Sequence, residues 1–574
     1  MNTSRSCFLL AAIGTSLLMP PANSVEPKQG DVIAGIWLMG QSLCDGSESL
    51  PVVSSTDSGW GNVMFRRGVR TWLPKDHSAT PEKRPAEQFQ LVPLHAQTNG
   101  GLGETVANGL ADHLKASLLA MKSGDEKAAS PHYLVACAGQ GGRQIQELSS
   151  ADLSNDPRTP ESRQHGGGYY RTSIDDARRA KEQAAALGMT FEVAALYWMQ
   201  GEGNGGPTGG IVPTRWDAEI PRAEGLKWYR DQLIAYRKQW SADLRAITGQ
   251  RGELPMFTYQ TLGPAGDAQL MAADADESIH MVGPHYAVPS ALNSRTTLGR
   301  HGDAIHLSAD GERWWGEQVG KVMHRVLHRG EKWQPLRPGS ARLDSSRESV
   351  LIEFHVPCPP LVLDTEFLPR QEIATNGGFS SLAGFQVLDS SGATVSLAAV
   401  EVAAPTQLRI RLAQALPADQ ICTVSYGHPF TSALGTIAAI RTGPETDEQA
   451  TEEIVLGGSF AKQLKPLTDE GVFFATNTSG KPARVPIRLV REEKGVTVLR
   501  YEPRELRDGN AFSVGESIVA QRSFSYGNLR DSDHEPSTHT FGDAAYGTRA
   551  GKPYPLWNWC VLFSNLLVDA PLKK

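Results

Sequence analysis

The sequence predicts an α/β domain, built on a parallel sheet covered by helices on both faces, followed by β-sandwich-like modules. Three observations carry this. Between residues 31 and 328, short apolar runs alternate with longer stretches of helical spacing, the alternation that a parallel sheet under helices produces. After about Arg337 the helical spacing ends and alternating runs such as Leu408, Ile410, Leu412 take over, the period of half-buried strands. At 574 residues the chain is also too long for a single core.

The first residues, 1–24, read as an export signal. Arg5 gives a positive start, 7–19 is apolar, and Ala22-Asn23-Ser24 offers small residues for cleavage before Val25. Cys7 stands at the start of the apolar run and not after it, so it is not placed as a lipid-attachment cysteine. The mature protein is therefore expected to be exported and soluble, secreted or periplasmic. No later stretch is long and apolar enough to span a bilayer. The net charge of −7 is mild for this length and argues against a nucleic-acid partner, which leaves a basic stripe. Five cysteines follow the signal: Cys44, Cys137, Cys358, Cys422 and Cys560. An odd number leaves at least one without an intrachain partner. Cys358 and Cys422 fall in one predicted β-module and either pair or stay as buried thiols. No Cys/His cluster has zinc spacing.

The α/β domain is expected over 31–330. Apolar runs at 33–39, 133–138, 193–198 and 255–259 read as buried strands. Helices are expected at 106–121, 173–187, 222–246 and 308–327; the first shows apolar spacing at Leu110, Leu114, Leu118 and Met121. Two β-sandwich-like modules are expected after it, over 338–440 and 454–570, each near the size of an immunoglobulin-like unit. An internal echo supports two units: "FQVLDSSG" and "FFATNTSG", like "TVSYG" and "AFSVG", are each separated by 88 residues. The acidic stretch 441–453 between the modules reads as a linker.

Four segments carry chemistry, three of them at predicted strand ends. They are Gly40-Gln41-Ser42, "CAGQGGRQI" at 137–145, "YWMQGEGN" at 197–204, and "GDAIHLSADG" at 302–311 before the last helix. In an open α/β sheet the carboxyl strand ends converge on one crevice. Acyl transfer needs a hydroxyl, a base to take its proton and a group to orient the base. Ser42, His306 and Asp303 supply one of each, and Asp303 stands three residues before His306. A developing oxyanion needs donors already in place. The turn at Gly141-Gly142 bares backbone N–H groups, and the Gln200 amide either adds a donor or ties two loops.

These motifs, in this order, resemble the SGNH/GDSL hydrolase superfamily. The nearest branch is the sialate O-acetylesterase-like carbohydrate acetylesterases, where Gly-Gln-Ser replaces Gly-Asp-Ser. The resemblance covers roughly residues 31–328. It implies a flavodoxin-like three-layer α/β/α sandwich and ester hydrolysis. It implies Ser42 as nucleophile, His306 as base and Asp303 as orienter. The oxyanion hole it implies is Ser42 N–H, an N–H of Gly141 or Gly142, and Gln200. The sequence departs from the branch at Leu43, where Asn is usual, at Met199, where His is usual, and at Arg143, where Thr is usual. These positions change the lining of the pocket more than the chemistry.

The expected function is that of a secreted serine esterase acting on an acetylated carbohydrate, with no metal or organic cofactor. Two alternatives are an SGNH esterase for lipid or aryl esters and a non-catalytic glycan-binding or scaffold protein. Around the motifs, Glu202, Arg143, His301 and the segment 99–104 either line the site or serve structure. Trp314 and Trp315 on the last helix are either a sugar platform or core.

Overall fold

The computed structural model describes residues 17–19, 27–71, 84–122, 130–150, 153, 168–206, 209–214, 217–290, 305–368, 370–375, 377–427, 431–445, 450–459, 461, 473–477, 484–487, 489–503, 506, 511–522, 526–542 and 549–571. Most of the expected signal, with Asp303 and His301, lies outside them. Among the described residues no helix is long and apolar enough to cross a membrane. The chain forms two compact units. One comprises 1–336 together with Ser532–Val561; the other comprises Arg337–Asp531 and 562–574.

The first unit is built on seven strands among the described residues: β1 (Val32–Gly40), β2 (Val63–Phe65), β3 (Leu91–Pro93), β4 (His132–Cys137), β5 (Thr190–Met199), β6 (Met256–Gln260) and β7 (Ile279–Pro284). Their order in the sheet is β3-β2-β4-β1-β5-β6-β7. All neighbours are parallel except the β2–β3 edge pair. The helices are α1 (Ser42–Asp45), α2 (Val106–Met121), α3 (Ile145–Leu148), α4 (Gly168–Ala186), α5 (Arg222–Thr248), α6 (Ala265–Ala275) and α7 (Ala309–Leu327).

The central strand shows why the sheet is covered on both faces. β1 reads as an unbroken apolar run, and successive side chains point to opposite faces. Ile33, Trp37 and Met39 enter a core with residues of α4, α5 and α6. Ala34, Ile36 and Leu38 enter a second core with residues of α2 and α7. The latter two helices meet backbone to backbone, since a Cβ on Gly316 would lie 2.2 Å from the Val106 carbonyl oxygen. The chain passes from β4 to β5 on opposite sides of β1. The carboxyl ends of these three strands therefore flank the crevice of the sheet.

The last part of the first unit comes from the far end of the sequence. Described residues of Ser532–Val561 lie along α2 and α7, tied by buried charges. Lys321 Nζ and Arg325 Nη2 reach Asp533 Oδ2 at 2.9 and 3.0 Å. His113 Nε2 donates to Glu535 at 3.1 Å, and Thr538 N–H donates to Glu317 at 2.7 Å. Trp314 stacks on Tyr554 and donates to the Pro555 carbonyl. The module expected over 454–570 is thus divided. Its charged, proline-containing tail pairs with helices of the first unit rather than extending a sheet.

The second unit is β-rich. Among the described residues ten strands form one sheet, closed on itself by a contact between Leu382 and Phe385. Seven more described strands form another around a core that includes Ile437, Ile454, Leu499 and Ile518. The strand Thr431–Thr442 pairs through its first half with Ser517–Arg522 and through its second with Glu452–Leu456. Both described ends of the acidic stretch expected as a linker therefore lie in strands, with Thr442 opposite Glu452. The echo is only partly structural. "TVSYG" lies mostly on a strand (Cys422–Tyr426), whereas "AFSVG" lies before the strand Ser517–Arg522. Cys358 and Cys422 do not form a disulfide with each other. The Cys358 N–H is held by Asp531, while Cys422 stands opposite Asp389 in the sheet.

Two measurements test the clasp. Asp533→Ala leaves the Lys321 ammonium buried without its carboxylate, and should lower stability by about 3–5 kcal/mol in urea unfolding. A loss below about 1 kcal/mol would show that the ion pairs stabilise nothing beyond a surface contact. The second concerns His113. Burial lowers its pKa, but hydrogen bonds to Glu317 and Glu535 outweigh that and carry it up to about 9. A raised folded pKa gives stability that is complete below the unfolded value of roughly 6.5 and is lost as pH rises through the folded value. The urea midpoint should therefore fall between neutral pH and about pH 9. His113→Gln should remove that part of the decline, and an identical slope in the variant would exclude His113 as its source.

Candidate active site

Three strand ends meet here, and Gly40 sets their spacing. A Cβ on Gly40 would lie 2.0 Å from the Met199 carbonyl oxygen, so only glycine lets β1 end this close to the end of β5. The Gln41 N–H then donates to that carbonyl at 3.0 Å. The chain turns at once into the single turn of α1, whose first residue is Ser42. Ser42 is 8% exposed, a hydroxyl at the floor of the crevice. Its backbone N–H is at the first position of the turn, where no helical carbonyl can accept it.

The glycine turn after β4 stands beside it. A Cβ built on Gly141 would lie 3.6 Å from Ser42 Cβ and 3.4 Å from Asp45 Oδ2. Gly142 has φ +68°, a conformation glycine adopts without strain. The Gly141 N–H donates to Asp45 Oδ2 at 2.7 Å. Asp45 Oδ1 accepts from Ser47 N–H and Oγ, at 3.1 and 2.7 Å. Burial raises the Asp45 pKa to about 6, against the opposing pull of Ser47, the Gly141 N–H, Arg70 and His306. His306 is thus within electrostatic reach of the same turn. It precedes Leu307, which bridges Ser290, and Ser308, which caps α7 by accepting from the Gly311 N–H at 3.1 Å. Asp303 lies outside the described residues.

Gln200, at the end of β5, is fully buried. Its Nε2 donates to Gln41 Oε1, the Arg143 carbonyl and Asn204 Oδ1, at 3.2, 3.1 and 2.7 Å. Its Oε1 accepts from Tyr229 OH at 2.7 Å. Gln41 Oε1 also takes the Gly203 N–H at 2.8 Å, and Asn204 Oδ1 takes the Ile145 N–H at 3.0 Å. Both amide hydrogens of Gln200 are engaged inside the protein, so here its side chain ties the loops after β1, β4 and β5 together. Glu202 has no salt bridge among the described residues. Its Oε1 accepts from Tyr259 and Thr261 hydroxyls, both at 2.5 Å.

The flanking candidates divide. Arg143 lies over the Tyr169 ring, 5.8 Å from its centroid, and pairs with Glu147 at 3.4 Å. Glu104, from the segment 99–104, is buried and accepts from the Val53 and Ser54 N–H groups. Trp314 and Trp315 are both 2% exposed, and Trp315 Nε1 donates to Tyr197 OH, so neither forms a sugar platform. Behind the turn of α1 stand two groups the sequence did not single out. Arg70 Nη1 donates to the carbonyls of Asp45 and Gly103, at 3.1 and 2.8 Å. Glu312, on the first turn of α7, is fully buried, and among the described residues neither carboxyl oxygen has a hydrogen bond. Burial, with Asp45 and Glu104 nearby, pushes its pKa well up, which favours the neutral acid.

Gln41→Ala should test the tie between the loops. It leaves the Gly203 N–H without its acceptor and removes the direct link between Gln200 and the loop after β1, a cost of about 1–3 kcal/mol. Thermal unfolding reads it directly. An unchanged midpoint would mean that the loops are held without Gln41.

No family model matches the chain, and no curated protein matches it. Similar solved structures include XAC1771, a carbohydrate acetylesterase from Xanthomonas citri. It is 16% identical over 69% of this chain and 75% of its own, with a TM-score of 0.40. NanS is 16% identical over 52% of this chain and 99% of its own, with a TM-score of 0.32. A protein from Arabidopsis thaliana is 14% identical over 51% of this chain and 98% of its own, also with a TM-score of 0.32.

Proposed function

We propose that the protein is a serine ester hydrolase that removes O-acetyl groups from carbohydrates, by way of an acetyl-enzyme on Ser42. The observation that carries the reading is the meeting of Ser42 and the glycine turn of 141–142 at the ends of β1 and β4, with His306 in electrostatic reach of that turn. In this reading His306 accepts the Ser42 proton as Oγ attacks the acetyl carbonyl, and Asp303 orients the imidazole. The tetrahedral oxyanion is met by the Ser42 N–H, at the positive end of α1, and by the glycine turn. His306 then returns its proton to the leaving sugar hydroxyl. It next activates water to release acetate. Gln200 acts by holding the three loops in register. The reaction needs no metal or organic cofactor, and the carbohydrate class rests on the motif resemblance of 31–328.

The purified full chain should hydrolyse 4-nitrophenyl acetate and release acetate from an acetylated polysaccharide or an O-acetylated sialate. Ser42→Ala should keep the far-ultraviolet circular dichroism spectrum and lose roughly 10⁴–10⁶ in kcat. Turnover by that variant within about tenfold of the parent would remove the serine mechanism. Binding of glycan without turnover by the parent would favour the non-catalytic reading.

A further inference from the structure

A glycine turn offers bare N–H groups but no side chain by which the fold can hold it. Donors act on a developing oxyanion only if they are already in place. Around Gly142 a Cβ would meet nothing within 4 Å, so side-chain packing does not fix the turn there. What reaches it from the nucleophile side is Asp45, three residues after Ser42 on the same turn of helix. We propose that Asp45 is a positioning residue whose carboxylate clamps the Gly141 N–H and so sets the glycine turn against Ser42. This rests on the esterase reading given above.

The clamp is rigid at both ends. Asp45 Oδ2 takes the Gly141 N–H at 2.7 Å, while Oδ1 is held by the backbone and hydroxyl of Ser47. Its own carbonyl is pinned by Arg70, which also holds the Gly103 carbonyl. Asp45 is 3% exposed, so water does not compete for the bond. A bond from a backbone N–H to an ionised carboxylate is shorter and stronger than one between neutral groups. Because Ser42 and Asp45 share one turn, any movement of the nucleophile carries the glycine turn with it. The Gly141 N–H is thereby committed to Asp45, and its role is to locate the turn.

The clamp also has a pH dependence. Asp45 is faced by the Ser47 hydroxyl, the Gly141 N–H, Arg70, His306 and, from α7, Glu312, with the Cys44 thiol on its own turn. Protonation of Asp45 near pH 6 removes the charge that strengthens the bond. Part of the loss of activity toward acid should therefore belong to Asp45.

The experiment uses the full chain and 4-nitrophenyl acetate, with kcat and KM measured from pH 5 to 9 for the parent, Ser42→Ala, Asp45→Ala and Asp45→Asn. Asp45→Ala should lower kcat roughly 100-fold while KM changes little, the size seen when oxyanion stabilisation is impaired. Asp45→Asn keeps an acceptor for the Gly141 N–H. It should recover to within about tenfold of the parent above pH 7, and its acid limb should shift to lower pH as the charge-dependent part disappears. Parent-like kcat in Asp45→Ala overturns the inference, as does a folded Asp45→Asn as slow as Asp45→Ala. If Asp45→Ala does not fold by circular dichroism, Asp45→Asn decides. Recovery with the shifted limb supports the clamp; a roughly 100-fold loss above pH 7 in the folded variant overturns it. An active Ser42→Ala would instead defeat the esterase reading itself. An inactive Ser42→Ala beside a parent-like Asp45→Ala would defeat only the clamp.

Discussion

The carbonyl oxygen of the Gln41 side chain is the point on which the crevice depends. It gathers the Gln200 amide and the N–H groups of Gly201 and Gly203, so the ends of β1 and β5 are tied inside the protein rather than by solvent. Gln200 passes the tie on to the loop after β4 through the Arg143 carbonyl, and to α5 through Tyr229. A buried polar network of this kind fixes geometry only when every member is satisfied. Here the amide hydrogens of Gln200 and the carbonyl of Gln41 all have partners. The cost of opening any one link holds the three loops in a single arrangement.

The charges behind Ser42 follow a different logic. Glu104 spends its carboxylate on backbone N–H groups, and Asp45 on a serine and a glycine, while Glu312 has no hydrogen-bond partner among the described residues. Burial pushes the Glu312 pKa well up, the direction that favours the neutral acid and spares the region a further buried charge. The thiols of Cys44 and Cys137, 3.5 Å apart between the turn of α1 and the end of β4, extend the same dry layer.

The sequence made the regular parts readable. α2 runs over Val106–Met121, the span its apolar spacing predicts, and β1, β4, β5 and β6 lie on the four apolar runs. β2 and β3 are three residues each, too short to show a period, and β7 breaks its apolar run with His280 and ends in Gly283 and Pro284. α6 is rich in alanine with little amphipathic contrast, so it carries no clear face. At the site, Ser42 and the glycine turn were legible as a small hydroxyl and a Gly-Gly pair at predicted strand ends. The engagement of Gln200 was not, because Gln41 lies 159 residues away in sequence and Arg143 lies 57 away. Asp45 had a local signal, a carboxylate one helical turn after the serine, but only the fold brings Gly141 to it.

The closing strap of the first unit has a consequence for how the molecule is made. Lys321 and Arg325 are in place soon after the helix that bears them is synthesised, yet Asp533 follows roughly two hundred residues later. Synthesis is vectorial, and domains generally fold as their residues become available. Until the strap arrives, the outer face of α7 carries buried-type cations and the Trp314 ring with nothing over them. The intervening β-rich unit must be threaded out, and can fold, before the first unit is finished. A nascent chain of this design therefore passes a long interval with an open flank, which gives a chaperone something to hold.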